Sequence, residues 1–376
     1  MKRHLFDADH ELFRTGFRAF LDGAAAGRHE EWERTGLVDR EFWKAAGAAG
    51  FIGFEAEQEH GGLGIDDFRY NTVIAEEMAA TETPGDGFVM NDIIGPYLVE
   101  FADAEQRRRW VPGYVAGETI VAIAMSEPEA GSDLAAIRTT AVPDGDELVL
   151  TGTKTFITNG ARADLVLVLA RSGDRTSVVA VEAGTPGFER GRTLHKVGRR
   201  SQDTAELFFE GARVPMANVI GTPGDGMTIV KRNLARERLA IAVTAVAAGR
   251  HAFDLALAHT RERKTFGKPV ARHQAVMHAL AELRVALDVA TSHVDSCVLA
   301  LNAGELTAED AAGAKFWATE LQWRVTDECL QLFGGYGYMD EYPISRLWRD
   351  ARVQRIYGGT SEIMKEIVGR SLVSDA

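Results

Sequence analysis

Between residues 119 and 224 the chain reads as short β-rich runs divided by turns, with helical sequence on both sides. TIVAIAMSEP, ELVLTGTKTFITNG, ADLVLVLARS, TSVVAVEAG and TAELFFEGARVP carry many β-branched and aromatic residues. Pro-Asp-Gly-Asp at 143–146, Asn159-Gly160 and Ser172-Gly173-Asp174 supply the turns. Regular short strands with such turns predict a small all-β barrel or sandwich. No helical stretch of useful length interrupts the block, so it is not a βαβ dinucleotide domain.

Upstream, residues 1–118 read mostly as helix. LFDADHELFRTGFRAFLDG spaces its apolar residues helically, with Asp7 or Asp9 as N-cap, and FRYNTVIAEEMAAT is a further helix beyond the glycine-rich loop EHGGLGIDD. From 225 onward the helices are long. LAIAVTAVAAGRHAFDLALAHTRER is apolar nearly all round and rich in Ala, which places it inside a bundle where small residues let neighbours approach closely. The expectation is an α+β multi-domain chain: an N-terminal α-helical domain over 1–118, a central small β-barrel domain over 119–224 and a C-terminal helical bundle over 225–376. The 376 residues are enough for two or three domains.

Charge narrows the function. With 42 basic and 55 acidic side chains the net charge is −13, which argues against nucleic acid as the main partner. Cys297 and Cys329 are far apart and form no CxxC, so a reducing, cytoplasmic setting is expected. MKRHLFDADHELF has no apolar core of a signal peptide, and no unbroken apolar run has the roughly 18 residues of a membrane span. GxxxxGK[ST], GxSxG and HExxH are absent, the histidines show no metal spacing, and His60-Gly61-Gly62 has no nucleophile elbow beside it.

Three stretches carry the chemistry: AMSEPEAGSD at 124–133, RERKTFGKPVARHQ at 261–274, and QLFGGYGYM at 331–339 followed by RIYGGTSEI. In this order, around a β block, they resemble the acyl-CoA dehydrogenase family over nearly the whole chain. RTLHKVGRRSQDTAELFFEGARVP and GYGYMDEYPISRLWRDARVQRIYGGTSEIMKE look most like its long-chain branch. The resemblance implies a four-helix bundle at the C-terminus, FAD as cofactor, an acyl-CoA substrate, an electron-transferring flavoprotein as electron acceptor, and a homo-oligomer, a tetramer or a dimer, whose subunits share the FAD site.

The same resemblance assigns residues. Met125, Ser126, Gly131 and Ser132 would meet the flavin, and Ser132 the CoA as well. Glu129 departs from the small residue usual at its place. Phe156, Ile157 and Thr158 match the strand beside the isoalloxazine, where many relatives carry Trp in place of Phe156. Arg263 and Thr265 match the motif that holds FAD pyrophosphate for the neighbouring subunit, a role that suits the planar guanidinium fork, and Phe266, His273 and Gln274 match positions near the cofactor as well. Gln331, Phe333, Gly334 and Gly335 match a further cofactor loop, and Gly359, Thr360 and Ser361 would line the flavin. Residues 87–98 would help wall the acyl cavity.

The base is the informative departure. Many relatives place Glu where this chain has Gly358, and glycine abstracts no proton. The long-chain and isovaleryl branches carry the base on the long helix after the β domain, and there this chain has Glu237. Its helical neighbours are Asn233, Leu234, Ala240 and Ile241, an apolar setting that is costly for an idle carboxylate. Arg236 and Arg238 leave a plain ion-pair reading open. Gly358 keeps its backbone N–H for the thioester oxygen, and Arg238 would orient Glu237 or contact the CoA chain. The activity implied is α,β-dehydrogenation of a medium-to-long or branched acyl-CoA. Two other readings stay open: a flavin oxidase or tailoring enzyme acting on a carrier-protein thioester or small molecule, and a non-catalytic acyl-CoA or flavin binding protein.

Overall fold

The computed structural model describes residues 3–83 and 86–373, with backbone alone for residues 86, 87 and 89–91. Among the described residues six α-helices come first: α1 (Ala8–Ala24), α2 (His29–Thr35), α3 (Arg40–Ala48), α4 (Phe68–Ala80), α5 (Asp86–Pro96) and α6 (Ala104–Val115). Asp7 is the cap of α1, accepting the N–H groups of Asp9 and His10, while the His10 ring answers the Asp7 backbone. Phe17, Phe42, Trp32, Trp43 and Phe88 form an aromatic core of mostly edge-on and tilted contacts.

The middle segment is an eight-stranded sheet: β1 (Val121–Ala124), β2 (Thr140–Asp144), β3 (Glu147–Thr158), β4 (Leu165–Ser172), β5 (Arg175–Glu182), β6 (Phe188–Thr193), β7 (Thr204–Pro215) and β8 (Val219–Ile220). Its order is β6-β7-β3-β2-β4-β5-β8, with β1 parallel to β4. β4 is buried along most of its length because helices cover one face and the sheet core the other. Arg40 ties α3 to the sheet: its guanidinium donates to both Asp164 carboxylate oxygens at 2.8 and 2.9 Å and to the Arg162 carbonyl at 2.9 Å.

Five α-helices end the described residues: α7 (Gly226–Glu262), α8 (Gln274–Asn302), α9 (Ala308–Phe333), α10 (Pro343–Gln354) and α11 (Ser361–Val373). A two-stranded hairpin, β9 (Lys264–Thr265) and β10 (Lys268–Pro269), joins α7 to α8. Ala242, Ala245, Ala252 and Ala256 of α7 are buried in one cluster with Ala314 and Ala318 of α9, and small side chains bring the two backbones close. By length and composition α7 is apolar enough to cross a membrane, but 67% of its most apolar window is buried in this bundle, as a core helix requires.

Candidate active site and cofactor surfaces

Glu237 stands on α7 and is buried, 8% exposed. Its Oε2 has no hydrogen-bond partner among the described residues. The ion-pair reading fails for Arg236, which reaches Asp66 and lies over the Phe68 ring. Arg238 instead directs its Nε at the Gly358 carbonyl, 3.5 Å away. Burial pushes the Glu237 carboxyl up to about 7, although Arg238 and Lys315 pull it down. The Tyr97 and Tyr357 hydroxyls are both pushed up, mainly by burial and partly by the Glu237 charge.

The turn after α10 faces this carboxylate. Gly358 and Gly359 have φ of 64° and 95°, the left-handed region where glycine pays no Cβ penalty. A Cβ at Gly358 would stand 2.4 Å from Ile241 Cδ1 and 3.9 Å from Glu237 Oε1. The Gly359 carbonyl accepts from a group that sequence reasoning missed: Lys315 of α9, wholly buried, whose Nζ donates to it at 2.6 Å. Glu320 accepts from Arg355 Nε and Ser361 Oγ, both at 2.8 Å. Thr360 is half-buried and Ser361 buried beside this turn.

A second group lies at the sheet. The Met125 and Ser126 carbonyls accept from Lys154 Nζ and the Thr155 N–H at 2.9 and 3.0 Å, which lays their segment along β3. Lys154 also donates to Glu127 at 2.8 Å, and Glu127 accepts the N–H groups of Arg138 and Thr139. Nothing in the local sequence marks this buried pair, because its halves are 27 residues apart. Gly131 and Ser132 are exposed on the loop it braces, and Glu129 is an exposed partner of Arg138.

Phe156 occupies a bulge of β3 at φ 59° with its ring 70% exposed. Left-handed backbone in a bulky residue is costly, and an exposed ring held there implies a covering group. With Ser126 across the Thr155 bond and Thr158 half-buried two residues on, the residues fit a flat group with polar edges, as the flavin of FAD is. Ile157 turns inward to the sheet core, so only its backbone can join them.

A third group gathers at the far end of α7. The Thr265 hydroxyl bonds His273 Nε2 at 3.0 Å, and the Arg263 guanidinium lies 5.9 Å from the Tyr336 ring. Phe266, at the hairpin tip, is 96% exposed with φ 49°. Gln274, Gln331, Gly334 and Gly335 are exposed nearby, whereas Phe333 is buried and stacks on His259 at 4.2 Å. From Glu237 to Arg263 along a straight helix is roughly 39 Å. The structure therefore brings Glu237, Arg238 and the 358–361 turn together, but keeps the 263–274 and 331–335 groups apart from them. Of the stretch 87–98, Phe88, Asp92, Ile93, Ile94, Tyr97 and Leu98 are buried, while the side chains of residues 87 and 89–91 lie outside the described residues.

Three family profiles match in succession: Acyl-CoA dehydrogenase, N-terminal domain at 7–118, middle domain at 122–212 and C-terminal domain at 224–373. The mitochondrial long-chain specific acyl-CoA dehydrogenase of Sus scrofa is 43% identical, over 99% of this chain and 88% of its own. An acyl-CoA dehydrogenase structure from Geobacillus kaustophilus superposes with a TM-score of 0.96 at 42% identity, covering 98% of this chain and 99% of that one. A glutaryl-CoA dehydrogenase from Mycobacterium smegmatis, solved in complex with FADH2, does so with 0.92 at 26% identity, covering 98% and 96%. The chain belongs to the acyl-CoA dehydrogenase family of FAD-dependent oxidoreductases.

Proposed function

We propose that the protein dehydrogenates an acyl-CoA thioester across Cα and Cβ to the trans-2-enoyl-CoA, with Glu237 as the base. The observation that carries this reading is the Glu237 carboxylate: buried, one oxygen unpartnered, next to a turn whose own position 358 holds no acid. A carboxyl near 7 is a stronger proton acceptor than an exposed one, yet half of it is ionised at neutral pH. Glu237 Oε2 takes the α-proton, and the backbone N–H of Gly358 donates to the thioester oxygen, where negative charge grows. FAD, when bound, supplies the acceptor for the hydride that leaves Cβ.

Met125, Ser126, Gly131, Ser132, Phe156, the Ile157 backbone, Thr158, Gly359, Thr360 and Ser361 would hold the flavin of this subunit, and Ser132 and Arg238 would also contact the substrate. Arg263, Thr265, Phe266, His273, Gln274, Gln331, Gly334 and Gly335 would hold the FAD of a partner subunit. The helix length supports this, since one dinucleotide does not bridge roughly 39 Å. Phe333, buried against His259, would support that loop from beneath. The acyl chain is medium-to-long or branched, in keeping with the similarity to the Sus scrofa enzyme, whose name is long-chain specific. An electron-transferring flavoprotein would reoxidise the enzyme, and the oligomer would be a dimer or a tetramer built from two dimers.

Anaerobic titration with a panel of acyl-CoAs, followed by flavin absorbance, tests the reading. Wild type should bleach with one chain class, and Glu237→Gln should bind without bleaching. Equal bleaching by both proteins removes Glu237 as base. Rapid reoxidation by air after bleaching favours a flavin oxidase, and no bleaching by any thioester leaves a binding protein.

A further inference from the structure

Lys315 is a cationic group packed against the Glu237 site, and the proposed reaction leaves it without a task. It lies in the first turns of α9 with no exposed surface, and burying an ammonium is expensive unless charge or hydrogen bonds offset it. Among the described residues its Nζ makes one hydrogen bond, to the Gly359 carbonyl at 2.6 Å, and no ion pair. Its charge is felt instead by Glu237, and it in turn is affected by Arg238, Glu237, Glu320 and Glu362. Burial, first, and Arg238, next, lower it to about 8, so most of it remains an ammonium at neutral pH.

The turn it holds has no side chains of its own at 358 and 359 and uses two left-handed residues in a row. Such a segment is conformationally loose unless its peptide planes are fixed from outside. α9 fixes it at three points: Lys315 takes the Gly359 carbonyl, and Glu320 takes Arg355 and Ser361. From α7, Arg238 takes the Gly358 carbonyl. Glu237 thus faces Arg238 on its own helix, Lys315 on α9, Tyr97 in the turn after α5 and Tyr357 before the glycines.

We propose that Lys315 is a positioning residue for the reaction, locking the Gly358–Gly359 turn through the Gly359 carbonyl and holding positive charge beside Glu237. This rests on Glu237 being the base. Removing the charge makes the carboxylate harder to form, so a rate that needs ionised Glu237 requires a higher pH. Removing the hydrogen bond frees the turn that presents the Gly358 N–H.

The test compares wild type, Lys315→Met, Lys315→Arg and Glu237→Gln as purified flavoproteins, by steady-state kinetics against pH and by anaerobic bleaching. Lys315→Met should lower kcat about 10- to 100-fold, with a smaller change in KM, and move the acid limb of kcat/KM up by about one unit. Lys315→Arg should return the limb to its wild-type place. Should Lys315→Met fail to fold, Lys315→Gln keeps a donor without the charge and reads the same limb. An unmoved limb in the uncharged variant overturns the proposal, whether or not activity falls. Glu237→Gln separates the two readings: if it is inert while the Lys315→Met limb stays put, only the Lys315 proposal fails, and if it is active, the base itself is wrong.

Discussion

A Cβ built on Gly358 would lie 3.9 Å from Oε1 of Glu237, so the turn and the helix address one point in space from opposite sides. Ile241 Cδ1 fills the remainder, 2.4 Å from that Cβ. A side chain at 358 therefore meets two separate penalties, strain at φ 64° and a clash with Ile241. Gly358→Ala should destabilise the protein by about 2–4 kcal/mol. Adding Ile241→Val removes the clashing Cδ1 and should recover the packing part while the strain stays. Thermal melts of the two variants check this, and equal melting points would refute the clash.

The Glu237 carboxyl also makes stability depend on pH. Its folded value, about 7, lies above the ordinary 4.5 because burial disfavours the charged form. Between those values the folded protein binds the extra proton, so stability falls as pH rises from about 4.5 to about 7 and is lowest above it. Glu237→Gln has no such term. It should match wild type near pH 4.5 and exceed it above pH 7 by up to about 3 kcal/mol. Denaturation of both proteins at the two pH values gives the difference directly.

Much of this molecule can be read from residues in order. Strand runs such as ADLVLVLARS are continuous apolar β-formers and fall on β4, and the Ala-rich stretch falls on α7. Besides the two-residue strands, β2, whose TAVPD contains Pro, and β6, whose FERGRT carries three charges and one glycine, escaped, because edge and ladder pairing supplied what their own residues did not. At the site, Glu237 and the glycines stand out locally. Lys315 and the Glu127–Lys154 pair do not, since a lysine on a helix or a strand reads as solvated until the fold shows what surrounds it.

That buried pair yields a further expectation. Lys154 donates to Glu127 and to the Met125 carbonyl, bracing the 125–132 loop from below. Burial draws the ammonium down, while Lys154 and the backbone N–H groups of Arg138 and Thr139 hold Glu127 below its usual range despite burial. Lys154→Met leaves the buried Glu127 carboxylate with two backbone N–H donors and no countercharge, and should cost about 3–5 kcal/mol. It should also release FAD more readily. Lys154→Met with Glu127→Gln removes the stranded charge and should regain part of the stability, so a double variant no better than the single one would count against a charge effect.

The distance between Glu237 and Arg263 makes the last prediction. If each FAD is held by the base-bearing part of one subunit and the Arg263 end of another, two dead variants can complement. In a two-fold dimer of Glu237→Gln with Arg263→Ala, one site combines both lesions and the other combines both intact residues. Random mixing then leaves about a quarter of all sites whole. Co-expressed, differently tagged chains purified through both tags should show activity that neither parent has. If both residues served the same subunit's FAD, every site would carry one lesion and the hybrid would be as dead as its parents. Flavin content read in parallel guards the conclusion: the Arg263→Ala parent should lose bound flavin, and the hybrid should regain it at the sites whose arginine comes from the Glu237→Gln chain.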